Sequence, residues 1–294
     1  MDKGQLFEQH RNRLKGLAYR MLGSYADSED AVQDTFIRWC REDVNHIENP
    51  VAWLTTVCSR ICMDILKAPH NSRVDYVGPW LPEPIHTAEE HTIEEEVTLA
   101  SSLSMAFLLL LERLTPKQRA AYLLKEVFNH SYTDIAVILA TSESTCRKLV
   151  SRANAAIGQD NNRYQMPPER QQILLEAFHQ AMNGQQLEHF TRLLAEDVQL
   201  TSDGGGKVLA ALRVLSGRQR VLEFFGAIQR QGWWQQLQWQ YVPINGAKGI
   251  LMKHQGNIIN TVTFGVNEQG QINRIFIVRN PDKLSAVQNR ASLH

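Results

Sequence analysis

The side chains best suited to recognition chemistry sit in one stretch, SYTDIAVILATSESTCRKLVSRANAAI, residues 131–157. Arg147, Lys148, Ser151 and Arg152 fall on one face of a helical register, with Ser142 and Ser144 just ahead of them. Arginine and lysine bond guanine edges or phosphates, and serine hydroxyls serve either. To present them, the stretch must form two helices. Tyr132 to Leu139 reads as a short helix, 140–142 as a tight turn, and Glu143 to Ile157 as a second helix. Ile135, Ala136 and Leu139 then pack against Cys146, Leu149 and Val150, with small Ala136 allowing close approach. This is helix-turn-helix architecture. A helical hairpin in a core would share the spacing, so the pattern alone leaves DNA binding and plain packing both open.

A second group of candidates lies upstream. In 45–67, Trp53 and His46 can stack on unstacked bases, and Asn45 or Asn49 can read the edge of a flipped base. Arg60 and Lys67 can reach phosphates. Trp53, beside Leu54 and Val57, fits a core aromatic better. Cys58 and Cys62 lie four apart, with His70 nearby, so a metal site is conceivable. Small buried thiols in a reducing compartment are the simpler reading, and no metal or cofactor is assigned.

The elements that must position these groups read as helices. Leu6, Phe7, Leu14, Leu17, Ala18, Met21 and Leu22 recur at helical spacing. Gly23-Ser24 breaks the pattern, and Asp27 or Ser28 can cap a second helix striped by Val32, Phe36, Ile37 and Cys40. Pro50 opens a third helix. The segment YVGPWLPEP, 76–84, holds three prolines and cannot be a regular helix. Its Tyr76, Val77, Trp80 and Leu81 suit docking into a groove or covering a local core. An acidic run to Glu96 leads into a helix with Leu99, Leu103, Phe107 and Leu110, and Thr115-Pro116 caps the next.

A boundary falls in the polar stretch 158–168. Helices follow to about Glu196, and after Trp233 four strand-like runs alternate with Asn-Gly and Gln-Gly turns. Helices followed by an antiparallel sheet make an α+β domain. DGGGK, 203–207, is not a phosphate loop, because Val208 follows the lysine. Its glycines suit a turn and close approach of another surface. Asp203, His189 and His254 are the candidates for acid–base catalysis in this part, and a small ligand is the other pocket role.

The bulk numbers bound these readings. The chain has 294 residues, 43% of them apolar, and a formal net charge of zero. Two domains or three small ones are expected, and wholesale disorder is excluded. Zero net charge counts mildly against nucleic acid, but local basic clusters matter more than the sum. The longest apolar run, about 105–111, is too short for a membrane span. No signal peptide is visible, so a cytoplasmic location is expected.

Three segments in order resemble the extracytoplasmic-function sigma factors of the sigma-70 family. SEDAVQDTFIRWC resembles region 2.2, NPVAWLTTVCSRICMDILK regions 2.3 and 2.4, and residues 114–157 region 4. WLPEP, DGGGK and NPDKL, 280–284, resemble the subgroup fused to a C-terminal SnoaL-like domain. The resemblance implies all-α sigma-2 and sigma-4 domains, then an α+β cone. It implies boundaries at 1–75, a linker at 76–98, a helix-turn-helix domain at 99–160 and the SnoaL-like domain at 168–294. It implies docking on core RNA polymerase through Asp30, Gln33, Asp34, Ile37 and Arg38. Asn45, His46, Asn49, Trp53, Arg60 and Lys67 would meet the −10 element. Ser142, Ser144, Arg147, Lys148, Ser151 and Arg152 would meet the −35 element. Trp80, Leu81, Pro82, Asp203, Gly204, Gly205, Gly206, Lys207, Asn280, Pro281 and Asp282 would form the regulatory interdomain contact. The protein would then initiate transcription and would not be an enzyme. A repressor with no polymerase contact and a pocket enzyme are the rival readings.

Overall fold

The structure, a computed structural model, describes residues 3–43, 47–68, 75–87, 102–158 and 166–291. Asn45, His46, His70 and the acidic run at 89–96 lie outside the described residues. The chain divides into two compact units, 1–74 with 108–161, and 75–107 with 162–294. The WLPEP segment thus groups with the C-terminal unit.

The N-terminal unit is helical. It begins with α1 (Lys3–Leu22), α2 (Tyr25–Arg41) and α3 (Pro50–Lys67). Helix α4 (Met105–Leu111), whose first three residues fall in the other unit, leads into α5 (Pro116–Tyr122), a π-helical turn (Leu123–Val127), α6 (Tyr132–Leu139) and α7 (Glu143–Ile157). Local chemistry sets the boundaries. Thr115 forms a reciprocal capping box with Gln118, and Ser131 does so with Asp134. Ala140, at φ 48°, ends α6 in the left-handed region.

Two expectations change here. Ser24, rather than Asp27 or Ser28, caps α2, because Gly23 turns the chain at φ 67° and leaves Ser24 extended. The buried face of α2 is Ser28, Ala31, Val32, Thr35 and Trp39, whereas Ile37 and Cys40 are exposed. Trp39 decides the face. Its ring is fully buried, and its indole N–H donates to the Lys3 carbonyl at 3.0 Å.

The C-terminal unit begins with α8 (Pro168–Met182) and α9 (Leu187–Leu193). Then come β1 (Leu194–Asp203), β2 (Leu215–Ser216) and α10 (Arg218–Arg230). Strands β3 (Gln238–Ile244), β4 (Ala247–His254), β5 (Asn257–Val266) and β6 (Ile272–Val278) follow, with α11 (Pro281–Ala291) last. The six-stranded sheet has the order β2-β1-β6-β5-β4-β3. It is mixed rather than antiparallel, because β1 runs parallel to β6. Phe178 sits fully buried among Phe190, Phe225, Trp239 and Phe264, with centroids 5.2–5.8 Å away. The unit is the α+β, SnoaL-like kind that the motifs imply.

Candidate functional site

Strand β1 ends on Asp203, which is completely buried. A buried carboxylate is tolerated only when its oxygens are fully satisfied. Here Oδ1 accepts from the Tyr76 hydroxyl at 2.6 Å and the Gly205 N–H at 3.0 Å. Oδ2 accepts from the Leu81 N–H at 2.8 Å and the Lys283 ammonium at 2.7 Å. The Asp203 carbonyl accepts from the N–H groups of Arg279 and Asn280. One residue therefore joins the linker segment, the glycine turn and the start of α11.

Lys283 closes the arrangement. Its ammonium also donates to the Leu81 carbonyl at 2.6 Å. It lies 4.3 Å from the Trp80 ring centroid and 4.8 Å from that of Tyr76. Burial, with Asp203 beside it, holds the Tyr76 phenol well above its ordinary value, so it stays a donor. Asn280 donates to the Tyr76 oxygen at 2.9 Å and accepts from the Asp282 N–H.

The glycine turn fits because it lacks side chains. Gly205 sits at φ 59°, and a Cβ there would lie 2.3 Å from Asn280 Nδ2. A Cβ on Gly204 would lie 2.5 Å from the Val208 carbonyl oxygen. Lys207 pairs with Asp282 at 2.5 Å on the exposed side, where an ion pair contributes little.

Further along, the same segment adds to the sheet edge. His86 bridges Ile244 of β3 in antiparallel fashion. Ile85 and Asn245 exchange hydrogen bonds, Thr87 N–H donates to the Pro243 carbonyl, and Gly246 N–H donates to the Thr87 hydroxyl. Backbone pairing of an extended segment with an edge strand is a recurrent docking mode.

Trp80, Leu81, Pro82, Asp203, Gly204, Gly205, Asn280 and Asp282 are thus brought together, with Gly206 and Lys207 on the outer side of the turn and Pro281 exposed at the start of α11. Of the two donors that complete the hub, Tyr76 was named only among the apolar residues of the proline-rich segment and Lys283 was not singled out. A lysine between Asp282 and apolar Leu284, and a tyrosine opening a proline-rich run, were the available signals. The candidates for catalysis do not converge. Asp203 aligns with Val278, then Thr261, then Leu251, so His254 lies three strands away, about 14 Å across the sheet. His189 is half-buried on α9.

In the N-terminal unit, Asp30, Gln33, Asp34, Ile37 and Arg38 form one exposed stripe on α2. Trp53 is half-buried, 5.5 Å from the Trp39 ring. The Asn49 side chain caps α3 through the Ala52 N–H, and Lys67 pairs with Asp64. Arg60 donates to the Ile138 and Val137 carbonyls at the end of α6. Buried Arg119 bonds the Met21 carbonyl and Glu112, and burial pulls its pKa down to about 10. Cys58 and Cys62 are buried, and their mutual hydrogen bond and burial push the Cys62 thiol well up. No cluster of metal-ligating residues occurs among the described residues. On α7, Ser144, Arg147, Lys148, Ser151 and Arg152 are exposed, and Ser142 is the helix cap.

A helix-turn-helix core with a separate exposed stripe, fused to an α+β unit, is the architecture of a DNA-binding regulator with an appended domain. The comparisons with known proteins specify it. The family described as Sigma-70 region 2 matches residues 6–70, and Sigma-70, region 4 matches 104–157. The ECF RNA polymerase sigma factor SigJ of Mycobacterium tuberculosis is 37% identical over 229 residues, 77% of this chain and 73% of that protein. The probable ECF sigma factor SigI of the same species is 31% identical over 214 residues, 70% of this chain and 72% of its own length. The SigJ crystal structure matches with a TM-score of 0.75 at 31% identity, covering 96% of this chain and 98% of that one. The chain belongs to the extracytoplasmic-function sigma factors of RNA polymerase. No described helix is long and apolar enough to cross a membrane.

Proposed function

We propose that this sigma factor is regulated by its own C-terminal unit, which acts by holding the linker segment. The observation that carries the reading is the Asp203 hub, where four donors from three parts of the chain meet on one buried carboxylate. A segment that connects region 2 to region 4 in sequence is anchored to a third domain. Any partner that favours the anchored or the released linker then shifts promoter activity by linkage. In this reading the α2 stripe docks on core polymerase in the cytoplasm, α3 serves the −10 element and α7 the −35 element.

The helical unit adds a second constraint. Its α3 and α6 pack together, and Arg60 is spent on α6 carbonyls. The −10 and −35 elements are about 25 base pairs apart by their names, or ~85 Å at 3.4 Å per pair. Reaching both requires α3 and α6 to part, which frees Arg60 from the α6 carbonyls to meet DNA phosphates.

A regulatory role fits the C-terminal unit better than turnover. Asp203 has no lone pair to offer a substrate, since both oxygens accept twice. The test is run-off transcription with core polymerase, using the full chain and a chain ending near residue 165. A strong change in promoter activity on truncation is expected. Equal activity across promoters would refute the regulatory role.

A further inference from the structure

Arg147 is exposed on the first turns of α7, yet it does not stand alone. Its guanidinium carbon lies 4.3 Å from the centroid of the Tyr132 ring, across the helix turn on α6. Its Nη2 pairs with Glu143 at 3.5 Å. Glu143 is itself held, because the Thr133 hydroxyl donates to Oε1 at 2.7 Å. On the same ring, the Lys125 ammonium lies 5.1 Å from the centroid. Tyr132 of α6 thus supplies a platform for one arginine of α7, and Glu143, held by Thr133, supplies a side stop.

We infer that Tyr132 is a positioning residue for promoter recognition, fixing the Arg147 guanidinium in the plane and direction in which it meets the −35 element. The inference rests on the reading that Arg147 contacts DNA, and adds which residue sets its geometry. A free arginine explores many rotamers and loses that freedom on binding. Stacked on an aromatic face, the fork is oriented beforehand, and bidentate contact to a guanine edge depends on that orientation. Glu143 steers the fork from the side, and because it carries charge it also discourages contact with a phosphate. The arrangement therefore favours base discrimination over general affinity.

The test uses the full chain with bacterial core polymerase and a pool of templates randomised over the −35 element, with transcripts sequenced. The variants are Tyr132→Phe, Tyr132→Leu, Arg147→Ala and the double Tyr132→Leu/Arg147→Ala. Thermal melting of each establishes that the fold is kept. Arg147→Ala should flatten preference at one or two positions by about tenfold. Tyr132→Leu should weaken it at the same positions by about twofold to fivefold. Tyr132→Phe should restore it, and the double variant should be no worse than Arg147→Ala. Additive losses, loss at different positions, or equal loss with Tyr132→Phe would overturn the inference. No change with Arg147→Ala would remove the DNA-contact reading and the inference with it.

Discussion

Replacing Asp203 by alanine would strand four donors at once, one of them the buried Lys283 ammonium. Removing one member of a buried pair costs ~3–5 kcal/mol. Chemical denaturation of Asp203→Ala should show a loss of that size. Asp203→Asn combined with Lys283→Met should lose far less, because no unpaired charge is left behind. Histidine titration acts in the same unit. His179 stacks on Trp239 at 4.2 Å and bonds the Tyr241 hydroxyl, and burial lowers its pKa below 6.5. His130 in the helical unit is lowered too, by burial and then by Arg13. As pH falls through about 6.5 the unfolded chain takes up protons that the folded chain does not, so stability falls. The melting temperature should be lower at pH 5.5 than at pH 7.5, and His179→Gln should narrow the difference.

At the scale of elements, helix α2 offers the cleanest test of polymerase docking. Asp30 and Asp34 are exposed on the side away from buried Trp39. Reversing both to lysine should leave the melting temperature nearly unchanged and sharply reduce co-purification with core polymerase. Elements of this kind were legible in the sequence, because capping residues, prolines and period-3.6 spacing are local signals. Thr115 and Pro50 mark helix starts that the structure keeps. Strand β1 was not legible. Its burial does not alternate, and its parallel partner β6 lies about 70 residues on, so the AEDVQLTS stretch carries no period-2 pattern. The face of α2 was misread for a related reason, since one tryptophan outweighed two smaller apolar residues. The motifs around Asp203 were legible as motifs, but their meeting was not. Tyr76 is 127 residues away from Asp203 and Lys283 is 80 away, and no local spacing records such distances.

For the whole molecule, the account makes the linker the coupling element between promoter recognition and the C-terminal unit. The deciding measurement is run-off transcription from the promoter upstream of the protein's own gene, with bacterial core polymerase. It compares the full chain with the folded Asp203→Asn/Lys283→Met variant, which loosens the anchor while removing both charges. The account predicts a transcript that depends on the added protein and that differs by about fivefold or more between the two chains. Equal yields from both would contradict it, because the anchored linker would then have no part in setting promoter activity.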